Sequence, residues 1–140
     1  MADNHSSSDQ QTASNQSISD VARRLESPLT DTVGESLVGI ATYENGEYSV
    51  PYRDSDASAQ YTTADITAIL ENVQLEGIGI PAYEDHHGQS LRATARVYED
   101  VVTVLVPVTD TTGLVVALRN DTEHDPYEVI QTVEAAVSER

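Results

Sequence analysis

Residues 91–121 read LRATARVYEDVVTVLVPVTDTTGLVVALRND, and this stretch decides the fold. Leu91, Ala93, Ala95 and Val97 alternate with Arg92, Thr94, Arg96 and Tyr98, the period-two pattern of a strand with one apolar face. Glu99-Asp100 makes a turn. Val101 to Val108 then runs almost without a polar residue, as a strand covered on both faces does. Asp110-Thr111-Thr112-Gly113 reverses the chain, and Leu114 to Leu118 supplies a third strand.

Working outward, Asp125-Pro126 opens a helix, with Asp at the N-cap, Pro in the first position and Glu128 in the third. Ile130, Val133 and Val137 share one side of it. Upstream, Thr62 and Asp65 form a capping pair before Ile66, Ile69, Leu70 and Val73, which fall on one helical face ending near Gly77. Ser36–Glu44 and Glu47–Arg53 are β-branched and aromatic runs either side of Asn45-Gly46, a dipeptide that tolerates positive φ at both turn positions and so marks a hairpin. A first helix starts at Ser17, with Ile18, Val21, Ala22, Leu25 and Leu29 at helical spacing. Pro28 is expected to break it near Ser27 and start a second turn, and Gly34 to end it. Residues 54–59 and 76–90 read as loops, and loops as long as the second are often functional.

Residues 1–16 are nearly devoid of apolar side chains and are expected to form a disordered polar tail. Residues 17–140 then make one α+β domain, in the order α-β-β-α-β-β-β-α. Its core is a five-stranded, mostly antiparallel sheet with flanking helices. Because Val101–Val108 is apolar on both faces, each face needs a cover, from helices or from a partner subunit.

Twenty-four acidic residues stand against seven basic ones, for a net charge of −17 at pH 7. Every basic residue is arginine, and lysine, cysteine, phenylalanine and tryptophan are absent. Such a chain repels itself in dilute buffer. In ~1 M salt the screening length falls to about 3 Å and most of the repulsion disappears. The composition is that of a protein adapted to a salt-in, halophilic cytoplasm, and the acidity reports the solvent rather than a ligand. Scattered arginines on so acidic a chain argue against direct nucleic-acid binding. No stretch approaches the ~18 apolar residues of a membrane span, and no leader is evident at the amino terminus, so a cytoplasmic location is expected.

Glu84-Asp85-His86-His87 is the most chemical-looking cluster. With His124 and Glu123 brought in by the fold it would resemble a divalent-metal site, but adjacent residues rarely face one way, and a solvated polar loop is the preferred reading. No cysteine nucleophile, G-x-S-x-G, H-E-x-x-H or phosphate-binding loop is present, so no catalytic residue and no cofactor is expected. Gly77 and Gly79 lack the third glycine of a dinucleotide site and read as a helix stop. Arg92 and Arg96 fall two pleats apart on one strand face. They are either a patch for an acidic or phosphorylated partner or salt-bridge donors to neighbouring carboxylates.

The element order, together with the stretch quoted above and the helix after it, resembles the Roadblock/LC7 fold and, more loosely, profilin. An acidic turn, an apolar strand with a proline near its end, and a second apolar strand before the last helix carry the likeness. The long 76–90 segment and Pro28 depart from the Roadblock pattern. The resemblance implies a non-catalytic dimer that pairs through its central helix and neighbouring strand and regulates or scaffolds small Ras-like GTPases. The matching segments are 64–75 and 91–98, which make Ala64, Ala68, Glu71, Arg92, Thr94 and Arg96 the candidate interaction residues. Two other classes stay open: a small-molecule sensory domain of the PAS or GAF kind with 76–90 as a lid, and a metal-dependent enzyme at His86 and His87.

Overall fold

The structure, a computed structural model, describes residues 17–55, 61–121 and 124–139. The expected tail, most of the 54–59 loop and Glu123 lie outside those residues. The elements are α1 (Ile18–Val33), a 3-10 turn (Gly34–Ser36), β1 (Leu37–Glu44), β2 (Glu47–Arg53), α2 (Thr63–Gly77), α3 (Ile80–His87), β3 (Thr94–Val97), β4 (Val101–Thr109), β5 (Thr112–Arg119) and α4 (Pro126–Ser138). The strands form one sheet in the order β2-β1-β5-β4-β3, and every neighbouring pair is antiparallel.

Alternation along the strands divides the core between the two faces of the sheet. Val102, Val104 and Val106 of β4 meet Leu114, Val116 and Leu118 of β5 on one face, under Ile18, Val21, Ala22, Leu25, Leu29 and Val33 of α1 and Val129 and Val133 of α4. Tyr43, Leu105 and Val115 occupy the other face with Leu70 of α2, and Ala41, Tyr48, Ile66 and Val73 pack around them. Each aliphatic side chain fully withdrawn from water contributes about 1.5–3 kcal/mol. The expectation that the apolar strand is covered from both sides is met by α1 and α4 on one face and α2 on the other.

Pro28 does not break α1. The helix runs unbroken through it, so the expected interruption near Ser27 is corrected. A proline inside a helix costs about 3 kcal/mol, mostly through a lost hydrogen bond and a clash with the preceding turn. Leu25 on one side of Pro28 and Leu29 and Val33 on the other are buried, and their combined burial outweighs that cost. Pro28 itself is exposed, so water can serve the carbonyl that loses its partner. Ser17 caps the helix by accepting a hydrogen bond from the Asp20 backbone N–H at 3.2 Å.

Residues 76–90 are not a loop. Ile80–His87 is helical, with Pro81 in its first turn and Gly88 closing it in the left-handed conformation at φ 65°. Gly88 N–H donates to the Glu84 carbonyl at 2.8 Å. Pro and Gly look like loop formers in sequence, yet here they stand at the two ends where helices tolerate or need them.

Two contacts set the sheet's geometry at its rim. Asn45, at φ 52°, and Gly46, at φ 88°, turn the β1–β2 hairpin. Asn45 N–H donates to the Thr111 carbonyl at 3.0 Å and its side-chain oxygen accepts from Thr111 Oγ1 at 2.7 Å, tying this turn to the β4–β5 turn. Beside it, the fully buried Tyr43 ring lies over Gly113, where a Cβ would sit 2.5 Å from the phenol oxygen. Burial, and secondarily the charge of Glu76, push the Tyr43 phenol above its usual range. At the outer edge, β2 carries a bulge. Ile40 pairs Tyr52 while Thr42 pairs Ser49, so Val50 and Pro51 together stand opposite Ala41.

Arg92 and Arg96 do not share a face, because β3 begins only at Thr94 and the chain before it turns toward α4. Arg92 clamps that approach. Its guanidinium donates to both Glu134 oxygens at 3.0 and 2.7 Å and to Tyr127 Oη at 2.8 Å, and its charge lies 5.3 Å from the centre of the Tyr127 ring. The Arg92 hydrogen bonds hold the Glu134 carboxyl below its ordinary value of 4.5. Arg96 instead pairs with Glu76 at the end of α2, on the opposite side of the sheet.

Gly113→Ala is expected to lower unfolding stability by about 1–3 kcal/mol, the range for overpacking a filled core, read by denaturant unfolding at unchanged secondary structure. Because the Glu134 value is depressed, the clamp contributes above pH 4.5 and is lost as pH falls through the folded value. Carboxyl NMR titration should therefore show Glu134 deprotonating before ordinary glutamates in the native chain, and Arg92→Gln should return it to the ordinary range. An unchanged titration in the variant would show that the clamp does not form.

Candidate interaction surface

The helix that covers the second face is only half used. Thr62 and Asp65 cap it reciprocally, Thr62 N–H to Asp65 Oδ2 at 2.9 Å and Asp65 N–H to Thr62 Oγ1 at 3.1 Å. The Thr62 bonds lower the Asp65 carboxyl's pKa. The inner side of α2 is fixed by Ile66, Leu70 and Val73, by the Tyr48 hydroxyl donating to Gln74 Oε1 at 2.9 Å, and by the Arg96–Glu76 ion pair. The other side is a ridge open to solvent: Ala64, Ala68, Glu71, Asn72 and Leu75, one above another at helical spacing. Ile69 flanks it, and Leu75 and Ile78 continue it with 63% and 73% of their surface exposed. Four large or small apolar side chains along one solvent-facing ridge exceed what a surface helix needs for its own packing.

β3, tied to the end of α2 by the Arg96–Glu76 ion pair, is an edge strand. It pairs with β4 through Thr94–Leu105, Ala95–Val104, Arg96–Thr103 and Val97–Val102, and its outer backbone has no neighbour among the described strands. Val97 is 68% exposed there. The Arg96 guanidinium is raised in pKa by Tyr98 first and by Glu76. Thr94 and Arg96 stand on the face shared with α2, level with Leu105 and Thr103. The fold thus gathers five of the six candidate interaction residues, Ala64, Ala68, Glu71, Thr94 and Arg96, on one side of the molecule and sends Arg92 to the other. Leu75 lies inside the expected 64–75 segment without being one of its candidate residues, and Ile78 falls in the stretch beyond Gly77 that reads as loop. Pro81 and Gly88 are the signals for the separate helix α3, which follows Ile78.

His86 and His87 are exposed in the last turn of α3. The Glu84 carboxylate accepts from the Leu91 N–H at 2.8 Å, which fastens the end of α3 to the approach of β3. His124 lies elsewhere, at an open cleft of about 940 Å³ between the end of α1 and the ends of β2 and β5. No three metal-ligating side chains come together among the described residues. The cleft's polar groups are bound to each other: Arg119 pairs with Asp54 at 2.5 Å and donates to the Glu35 carbonyl, and the buried Ser36 hydroxyl donates to Asp121. These links hold β5, β2 and the end of α1 together. The cleft is not the enclosed Tyr- and Val-lined cavity that a sensory domain would need. No helix among the described residues is long and apolar enough to cross a membrane.

Two solved structures share this architecture. MglB of Myxococcus xanthus matches with a TM-score of 0.59 at 15% identity, over 87% of this chain and 89% of that one. A Roadblock/LC7 domain from Streptomyces avermitilis matches with a TM-score of 0.58 at 17% identity, over 84% and 92%. At these identities the likeness is one of fold, and the expected Roadblock/LC7 resemblance holds at that level. No curated protein matches the chain. Residues 23–138 match the model of a family described as a domain of unknown function, DUF7522, and the chain belongs to that family.

Proposed function

We propose that this protein is a non-catalytic regulatory or adaptor module that works as a pair of identical chains and binds a protein partner. The observation that carries the reading is the apolar ridge that α2 leaves open to solvent, together with an edge of β3 that no described strand pairs. A second copy suits this surface for three reasons. Ala64 and Ala68 let a facing helix approach closely. Leu75 and Ile78 supply apolar area that solvent does not favour. The edge of β3, without a neighbour among the described strands and tied to the end of α2 through Arg96 and Glu76, offers backbone hydrogen bonds to a second copy. The Roadblock likeness implies the same region for pairing, and a small Ras-like GTPase as the class of partner that the pair would serve. The acidic composition supports a salt-rich cytoplasm as its setting.

Size exclusion with light scattering in about 2–4 M salt, where charge repulsion is screened, should give twice the chain mass. Leu75→Glu, at an exposed position, should shift the protein to a monomer with unchanged circular dichroism. A native chain that stays monomeric at high concentration would remove the reading.

A further inference from the structure

The ridge carries one charge, and its position has a consequence for how pairing is controlled. Symmetric pairs of one chain use the same patch on both copies, so a residue near the two-fold axis meets its own counterpart. Along the α2 ridge, small side chains lie at one end, Ala64 and Ala68, and large apolar ones at the other, Leu75 and Ile78. Complementary packing sets the small end of one copy against the large end of the other. That arrangement puts middle against middle, and the middle is Glu71.

Glu71 is exposed and has no hydrogen-bond or ion-pair partner among the described residues. Glu76, one turn further on, is by contrast neutralised by Arg96. Around this pair of carboxylates, each chain brings a net charge of −17. At ~0.1 M salt the screening length is about 10 Å, wide enough for the two surfaces to repel each other across an interface, while at ~1 M it is about 3 Å.

Resting on the pairing reading above, we propose that self-association of this protein is governed by ionic strength, with Glu71 as the carboxylate that opposes its own copy across the axis. Raising salt screens that repulsion and strengthens the apolar contacts of the ridge together. The dependence has the opposite sign to that of an interface held by ion pairs, which salt weakens.

The test uses the full chain, labelled at its amino terminus for energy transfer, with Glu71→Gln and Glu71→Arg variants. Circular dichroism fixes the lowest salt at which each chain stays folded, and that salt is compared with ~2 M. Native pairs should tighten as salt rises. Glu71→Gln should tighten pairing at low salt by about fivefold and change it little at ~2 M. An equal mixture of native and Glu71→Arg chains should form mixed pairs above the statistical share at low salt, because arginine then meets glutamate. Affinity that is flat or falling with salt, or mixed pairs at the statistical share, overturns the proposal and leaves pairing standing. Monomers at every salt and concentration overturn the pairing reading itself.

Discussion

Val104 and Val116 face each other in the β4–β5 register, and neither is reached by water. This central pair is the constraint from which the rest of the architecture follows. Two adjacent strands, each apolar on alternating residues toward both faces, cannot sit at a surface. They require α1 and α4 on one side and a third helix on the other. The need also explains why α1 tolerates a proline in its interior: the side chains on either side of Pro28 are held in the layer that covers these valines. With β4 and β5 central, β1 and β2 extend the sheet one way and the short β3 the other.

The two faces are covered unequally. Two helices pack on the first face, and their buried residues span three strands. The second face has α2 alone, seated over Tyr43, Leu105 and Val115, while Val101 and Thr103 near β3 are only partly covered. The unequal cover follows from the polar, unburied character of α3. The sheet's first hairpin is followed by α2 and α3 before the meander of β3, β4 and β5, but α3 buries no residue fully, so only α2 sets buried apolar side chains on that side. The side with less cover is the side where α2 presents its apolar ridge and where the sheet ends in an open strand. Polar anchors reinforce the difference: Arg92 clamps the approach of β3 to α4, and Arg96 clamps β3 itself to α2.

Most of this architecture was legible in the sequence because it rests on periodicity and turn chemistry. The alternation through 91–97, the apolar run of 101–108, Asn45-Gly46 and the Thr62–Asp65 cap each specify local geometry through short-range physics. What the sequence hid was decided by tertiary balance. Pro28 reads as a break unless the burial of Leu25, Leu29 and Val33 is weighed against it. Ile80–His87 buries no residue fully, so it has no periodic signature and its end signals read as loop. The direction of Arg92 depends on where β3 begins, three residues later than alternation alone suggests. The candidate surface is legible in its helix, through Ala64, Ala68 and Glu71, and hidden past the helix end, at Ile78.

The bulge in β2 has a consequence for assembly. Pro51 withholds a backbone donor and, with Val50, distorts the strand on the sheet's far rim. Lateral strand addition is therefore disfavoured at that rim and open at β3. If two copies join along β3 as proposed above, both rims that remain are bulged β2 strands, which oppose growth into a fibre.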